Sequence, residues 1–474
     1  MTRIAEPGTE VRSPGYGRSV SARPLVVVSN RGPLSFALEG DELRTKRGAG
    51  GLISAIGPAI EGSDAHWVAG ALSEADRIAA ERGSVDADGF HVDLLALDEA
   101  DYSAYYDVIS NGTLWFLHHG LWDLPRRPRF DRAWWDAWAA YRRVNEAFAE
   151  HVARVAAPDA VVLVQDYHLT LVGEHLRKVR SDLARVHFHH TPFASPNELR
   201  VLPDSARDEL LRGLSAYDAC GFHSARWAAN FDQCVSAYGG ENAMTFVSPA
   251  TTDVDDIRAV AASDRCADAL RQLDAQVGDR KLIVRVDRIE LSKNIARGFH
   301  AFDDLLRTRP EWRERVVFGA FVYPSREGLA EYQAYRHEVE SVIDRINAEW
   351  STPTWTPILY DATDDFPRSV AALRRYDVLL VNPVRDGLNL VAKEGTLVNE
   401  RDGVLALSKE SGVFAELGAA CVPVHPFDVA GTSDALHDAL TMPAEQRREL
   451  HDAGLRAVTA RTAAHWLGDQ LASV

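Results

Sequence analysis

Cysteine is scarce in this chain. Four stand in 474 residues, Cys220, Cys234, Cys266 and Cys421, and they are too scattered for a metal-like pair. Such scarcity suits a reducing cytosol, so a cytoplasmic location is expected. Long apolar runs are missing too, and none reaches the length that spans a bilayer. Residues 1–23 are polar, with Gly, Pro, Ser and Arg and no apolar h-region. They read as a flexible tail and not a signal peptide. Positive charge is also short, with 52 Lys and Arg against 69 Asp and Glu and a net charge of −17. This balance argues against nucleic acid or an anionic membrane as partner. An anionic substrate would therefore need a local basic cluster. Internal repeats and low-complexity segments are absent.

What remains is an ordinary globular composition, 46% hydrophobic and 26% charged, at a length that suggests about two to three domains. The stretch Asp386-Gly387-Leu388-Asn389-Leu390-Val391-Ala392-Lys393-Glu394 organises the reading. Before it, Val378-Leu379-Leu380-Val381 reads as a buried strand that Pro383 ends. A strand, a tight loop with a Gly hinge and then a helix present unpaired N–H groups at the helix mouth, where phosphate oxygens bind. Glu394, about one and a half turns in, could reach a ribose diol. Asp386, at the loop tip, could take sugar hydroxyls. Standing alone, the stretch is equally an ordinary strand-to-helix turn.

In chain order, Leu25–Ser29 predicts the first strand. Lys46-Arg47-Gly48-Ala49-Gly50-Gly51-Leu52 opens a helix through Ile60, with glycines that let a ligand approach the backbone; a flexible loop is the equal alternative. A Trp-rich helix is predicted from Arg132 to Val155, and Trp134, Trp135 and Trp138 are assigned to packing. Val161–Val164 is a strand ending in Gln165-Asp166-Tyr167-His168, and Arg185–His189 is another ending in His190-Thr191-Pro192-Phe193. Polar residues at the C-terminal ends of successive strands mark the ligand edge of an open α/β sheet. His187 and His189 share one strand face and His190 the other, so these histidines do not read as a metal site. Asp253-Val254-Asp255 and Asp86-Ala87-Asp88 look like metal-holding acidic pairs but lack strand context and are read as turns.

After about Ile257 the pattern restarts, with strands at Leu282–Val286, Val316–Val322, Thr356–Leu359, Val378–Val381 and Val404–Leu407. Two runs of alternating strands and helices predict two parallel-sheet domains facing each other. Asp287 to Asn294 follows the first strand of the second run as a loop, with Arg288 and Lys293 placed to neutralise a diphosphate without a metal. Arg326 and Arg31 end strands in opposite halves and could share one phosphate.

Together these stretches resemble the trehalose-6-phosphate synthase family of retaining glycosyltransferases, from about Leu25 to the C-terminus. The resemblance rests on Ser29-Asn30-Arg31, Gly50-Gly51-Leu52, Tyr105-Tyr106 with Ser110-Asn111 and Leu114-Trp115, Asp166-Tyr167-His168 and His190-x-Pro192-Phe193. It rests equally on Arg288 with Ser292-Lys293, Pro324-Ser325-Arg326, Tyr332-Gln333, Trp355-Thr356-Pro357 and the run from Arg385 to Glu394. It implies an α/β fold of two Rossmann-like domains facing a deep cleft, the GT-B type. Residues 24–256 would form an acceptor domain and 257–455 a nucleotide-sugar domain, with 456–474 a helix crossing back to the first.

The resemblance also implies transfer of glucose from UDP- or GDP-glucose to glucose 6-phosphate, with no cofactor and no metal; a homo-oligomer stays open. Arg288 and Lys293 would bind the donor diphosphate and Glu394 the ribose. Asp386 and His190 would hold the donor glucose, with Gly50, Gly51 and the backbone from Gly387 through Leu388, Asn389 and Leu390 to Val391 around it. Arg31, Tyr106, Trp115, Tyr167 and Arg326 would hold the acceptor, with Asp166 near its attacking hydroxyl. Some positions depart from the family pattern: Gln165 for His, Gly70 near an acceptor-side Trp, Glu290 with Ile289 and Leu291, Asn294 for Gly, and Pro249-Ala250-Thr251 for a Gly turn. They keep two alternatives open, a related enzyme coupling a nucleotide-activated cyclitol to an amino-cyclitol phosphate, and a non-catalytic sugar-phosphate sensor.

Overall fold

The computed structural model describes residues 23–40, 42–48, 51–240 and 243–474. Two sheets organise them. The first has eight strands, in the spatial order Met244–Val247, Ala219–Phe222, Ala184–His189, Val161–Gln165, Leu25–Ser29, His66–Gly70, Phe90–Leu95 and Val85–Ala87. All are parallel except the last, an antiparallel edge paired to Phe90–Leu95. The second has six strands, all parallel, in the order Ile358–Asp361, Val316–Pro324, Lys281–Ile289, Val378–Val381, Val404–Ser408 and Val422–Val424. Inner strands such as Val161–Gln165 and Val378–Val381 are buried along their whole length. Helices cover both faces of such a sheet, so the strands read as unbroken apolar runs rather than alternating ones. The fold is the expected α/β pair of Rossmann-like sheets.

The Trp-rich helix spans Arg132–Val155. Trp138 is fully buried and stacks on Trp134 and Tyr141, so these indoles serve the core. Among the elements without a counterpart in the sequence reading, one shapes the site. Ala104–Leu114 is a π-helix that runs directly into the α-helix Trp115–His119. Its wide turns are stapled by side chains reaching back five residues, Asn111 Nδ2 to the Tyr106 carbonyl at 3.0 Å and Thr113 Oγ1 to that of Val108 at 2.8 Å. Such helices gather at functional sites because they aim side chains an α-helix would spread.

Four local expectations change. Arg288 lies within the long strand Lys281–Ile289 and not in a loop, because that strand pairs in register with Val316–Pro324 as far as Ile289. Asp253 is the N-cap of the helix Val254–Ala261, accepting from the Asp255 and Asp256 N–H groups, so it satisfies helix donors rather than making a free turn. The expected domain boundary at 256/257 falls inside that helix. Asp86 belongs to the edge strand Val85–Ala87, and only Asp88 and Gly89, both at positive φ, make the hairpin turn.

The last helix, Ala463–Leu471, docks on the first sheet. Trp466 is fully buried, donates from Nε1 to the Ser248 carbonyl at 3.0 Å, and packs edge-on against Phe188. Asp469 accepts from Ser248 Oγ at 2.7 Å, and Gln470 Oε1 accepts from Gln165 Nε2 at 3.3 Å. Replacing Trp466 by Ala should therefore cost about 3–5 kcal/mol, read as a lower urea midpoint; an unchanged midpoint would mean that this helix is not docked.

Candidate active site

The C-terminal ends of both sheets meet. The contact is backbone on backbone: a Cβ built on Gly387 would lie 1.9 Å from the His190 carbonyl oxygen. Only glycine fits there. Trp227 Nε1 donates to the Gly387 carbonyl at 3.1 Å, and Arg385 Nη1 to Glu198 Oε1 at 2.6 Å. Both bonds join the halves. The loop Pro383–Asn389 thus lies against the end of the strand Ala184–His189.

On the second sheet the cations sit among carboxylates. Lys293 Nζ lies 2.6 Å from Asp386 Oδ2 and 3.8 Å from Asp287 Oδ1. Burial works against the Lys293 ammonium, but the Asp386 and Asp287 carboxylates outweigh it and raise its pKa. Burial likewise works against ionised Asp386, and Lys293 with the Asn389 amide outweighs it and keeps that pKa low. Glu290 is only 2% exposed. It faces Arg288 Nη2 at 3.2 Å and Arg326 Nη1 at 3.6 Å and accepts from Ser325 Oγ at 3.3 Å. Burial pushes its carboxyl up, yet Arg288, Arg326 and Lys293 hold it at about 2. Asp386 is therefore a paired, part-buried group rather than a free loop tip.

The helix Leu390–Val398 begins at Asn389, which takes a φ of 96° and accepts the Ala392 N–H on Oδ1 at 3.0 Å. That cap uses one first-turn donor, and the turn has others that no helical carbonyl can take. Glu394 stands on this helix with a carboxyl pushed up to about 7 by burial, with Asp256 adding to it. It makes no direct bond to Arg288, Lys293 or Asp386.

The first half supplies a ring of aromatic groups. Tyr106 and Tyr167 both stack on His168, at 5.8 and 4.1 Å between ring centres. Arg31 Nη2 donates to the Tyr106 hydroxyl at 3.3 Å, and Arg326 Nη2 reaches that of Tyr167 at 3.5 Å. The Arg326 guanidinium also lies over the Trp115 ring at 5.0 Å. The two arginines expected to face each other thus reach one stack from opposite halves. Asp166, at a φ of 72°, accepts the His190 N–H at 3.2 Å, and burial pushes its carboxyl up to about 6. His190 is held neutral by burial, its pKa down to about 3, and its Nε2 donates to Gln165 Oε1 at 2.9 Å. Gln165 is thereby strung between His190 and Gln470.

Arg288, Lys293, Asp386, Gly387, His190 and Asp166 are thus gathered at one seam, as are Arg31, Tyr106, Trp115, Tyr167 and Arg326. Gly50 lies outside the described residues. Gly51 opens the helix Gly51–Ile60, which packs against the C-terminal helix. Sequence reasoning passed over Arg285. It is fully buried beneath the site, donating to Asp287 Oδ2 at 3.0 Å and to the Lys293 carbonyl at 2.8 Å. Its signal was a charged residue inside the apolar run Leu282–Val286. Lys393 was quoted only as part of a motif, yet it is 2% exposed and ties the Ala250 carbonyl, at 2.8 Å, to Glu416. Asn294, where the family commonly has Gly, takes a φ of 61° and donates to the carbonyls of Asn382 and Pro426 at 2.9 and 2.7 Å. Asn tolerates that conformation better than most residues, so the turn survives the change.

Comparison with known proteins returns one family model, Glycosyltransferase family 20, matching residues 23–474. A trehalose-6-phosphate synthase of Mycolicibacterium vanbaalenii is 32% identical over 487 residues, covering 97% of this chain and 96% of that protein. A bifunctional trehalose-6-phosphate synthase/phosphatase of Thermoproteus tenax is 32% identical across 89% of this chain, and the match spans only 59% of that protein's length. A solved E. coli structure bound with UDP-2-fluoro glucose superposes with a TM-score of 0.83 at 29% identity, covering 94% of this chain and 99% of the other. A UDP-forming α,α-trehalose-phosphate synthase of Burkholderia xenovorans, in complex with glucose-6-phosphate, gives 0.83 at 28% identity over 94% of this chain and 98% of the other.

The Gly387–His190 seam generates a direct test. Gly387→Ala should force the halves apart, because its methyl would lie far inside the ordinary approach of carbon to oxygen, about 3.3 Å or more. A larger radius of gyration in small-angle scattering and a lower Tm are expected; a variant unchanged in both would contradict the contact.

Proposed function

Because this chain belongs to glycosyltransferase family 20, we propose that it transfers glucose from UDP-glucose to glucose 6-phosphate with retention, giving α,α-trehalose 6-phosphate and UDP. The observation that carries this reading is the seam itself. Lys293 and Asp386 from the second half meet the His190 backbone of the first at Gly387, with Arg288 and Arg326 joined through Glu290 alongside. The choice of UDP follows the relatives whose names specify UDP-forming synthases.

In this reading the donor diphosphate lies over Arg288 and Lys293, with first-turn N–H groups of the helix Leu390–Val398 adding positive potential. Asp386 and His190 hold the donor glucose. His190 is neutral and its Nε2–H is taken by Gln165, so its other ring nitrogen accepts a directed hydrogen bond from a sugar hydroxyl without adding charge. Arg31, Tyr106, Trp115, Tyr167 and Arg326 hold glucose 6-phosphate, the two arginines gripping its phosphate from opposite halves. The acceptor hydroxyl attacks the anomeric carbon on the face the diphosphate leaves. The new glycosidic C–O bond forms as the old sugar–phosphate bond breaks, and a leaving phosphate oxygen takes the hydroxyl proton. Asp166 accepts a hydrogen bond from the acceptor and orients it. The chain's work is positioning and charge stabilisation, not a covalent intermediate. We also read residues 24 to about 253 as the acceptor domain and the following residues as the nucleotide-sugar domain. The helix Val254–Ala261 then goes to the second domain, whose helices Phe366–Arg375 and Leu390–Val398 it packs against. The last helix crosses back.

A second reading, coupling of a nucleotide-activated cyclitol to an amino-cyclitol phosphate, is favoured by two residues. Gln165 is bonded to the proposed donor-binding His190, and Gly70 has its N–H on the Asn30 carbonyl beside Arg31.

The purified chain should convert UDP-glucose and glucose 6-phosphate to trehalose 6-phosphate, followed by phosphorus NMR. Arg288→Ala and Lys293→Ala should each lower turnover about a hundredfold or more, the usual effect of removing one charge-stabilising donor. Absence of product from both UDP- and GDP-glucose would overturn the reading, and turnover of cyclitol substrates alone would select the second. Glu394 makes donor binding pH-dependent. A ribose diol donates to the ionised carboxylate, and with a pKa near 7 that form disappears as the pH falls. Affinity for UDP-glucose, whose diphosphate is a diester without a proton to gain in this range, should weaken by up to about tenfold per pH unit below 7. Calorimetric titration from pH 8 to 5.5 tests this, with Glu394→Gln expected to be flat; an equally flat wild type would remove Glu394 from the ribose.

A further inference from the structure

Away from the seam, the antiparallel edge of the first sheet carries a second cluster of chemistry-bearing side chains. His66, His91 and Asp86 stand in register on three adjacent strands, His66 opposite His91 and His91 opposite Asp86. Residues paired this way lie on one face of the sheet, and Asp93, two residues beyond His91, shares it. Ring nitrogens of His66 and His91 and a carboxylate oxygen of Asp93 all lie within 4.8 Å of one another. The two imidazoles meet edge to face with centres 4.1 Å apart.

Each ring is also oriented by a carboxylate. His66 Nδ1 is 2.9 Å from Asp93 Oδ2, and His91 Nδ1 is hydrogen-bonded to Asp86 Oδ1. Ser84 Oγ donates to the other oxygen of Asp93, whose side chain is almost fully buried. An ionised carboxylate only accepts, so His91, held at Nδ1 by Asp86, presents Nε2 to the ion, while His66 Nδ1 and Asp93 Oδ2 ligate side by side once the ion replaces the proton between them. A carboxylate holding the far nitrogen of a ligating imidazole, as Asp86 holds His91, is the usual outer support of a transition-metal site. The cluster borders a surface concavity of about 620 Å³ that includes Ser63, Asp64 and Asp88, which leaves room for a water on an open coordination position.

We propose that His66, His91 and Asp93 bind one divalent transition-metal ion of the zinc class, with Asp86 orienting His91. Two neutral imidazoles and one carboxylate suit Zn²⁺, Co²⁺ or Ni²⁺, and disfavour Mg²⁺ and Ca²⁺, which take oxygen ligands. His66 is the first residue of its strand, so the ion sits at the N-terminal edge of the sheet, opposite the edge that carries Asp166 and His190. There it cross-links the hairpin Val85–Leu95 to the strand His66–Gly70. Its role is structural, and it takes no part in glycosyl transfer.

The test uses the full chain, stripped of metal by a chelator and titrated with zinc chloride by calorimetry and thermal melting. One Zn²⁺ per chain and a raised Tm are expected, and no response to Mg²⁺. His66→Gln and His91→Gln should each weaken Zn²⁺ at least tenfold, and Asp86→Asn by about 10–100-fold as a lost outer support, with the melting of the metal-free chain little changed. Absence of Zn²⁺ binding, or binding retained by the double His66→Gln, His91→Gln variant, overturns the proposal. Anomalous scattering at the zinc edge gives a second reading that does not depend on variants: a peak between His66 and His91 supports the site, and a peak only elsewhere refutes it.

Discussion

The structure depends on one steric constraint, the meeting of two backbones at Gly387 and His190. Nothing but hydrogen occupies the space between the Gly387 Cα and the His190 carbonyl. Two separately built sheets are thereby brought to side-chain distance at their ligand-binding ends. Trp227 and the Arg385–Glu198 pair then hold the approach from either side. Gly412 makes the same demand one layer further back, where a Cβ would lie 1.8 Å from the Gly387 carbonyl oxygen. The loop is thus pressed between two neighbours and has little freedom to move.

That packing has an electrostatic counterpart. Arg285, Arg288, Lys293 and Arg326 gather near one another with Asp287, Glu290 and Asp386 between them. Bringing so many cations together is costly unless carboxylates lie among them. The carboxylates do so, and they leave the side chains in place and charged. Four cations against three carboxylates leave one positive charge over. A diphosphate can join such a site with little rearrangement, which is the condition for electrostatic catalysis. The overall charge of −17 says nothing of this, because the positive field is local.

Much of the architecture was legible in the residues. Val161–Val164 and Val378–Val381 are apolar throughout, so their burial follows from composition, and the Trp-rich helix appeared with its bounds. Polar residues ending those strands marked the ligand edge. Other features were hidden because they depend on pairing across the chain. Arg288 stays in its strand only because Val316–Pro324 extends alongside it. Glu290 stood in the sequence only as a departure from the family pattern until the fold set Arg288 and Arg326 on either side. The π-helix rests on side-chain staples such as Asn111 to Tyr106, and hydrophobic periodicity carries no trace of them. Gln165 drew notice as a departure from the family, but its tie to Gln470 spans 305 positions and could not be foreseen.

The amino-acid order alone determined most of the buried strands and the Trp-rich helix, and which strand ends carry charged and hydroxyl-bearing groups, because burial and backbone preference are local. Tertiary structure decided which groups meet. Lys293 with Asp386, Arg326 with Tyr167, and His66 with His91 are set by sheet order and by the approach at Gly387. Coulomb and hydrogen-bond energies fall steeply with separation, and separation in space is written nowhere in separation along the chain.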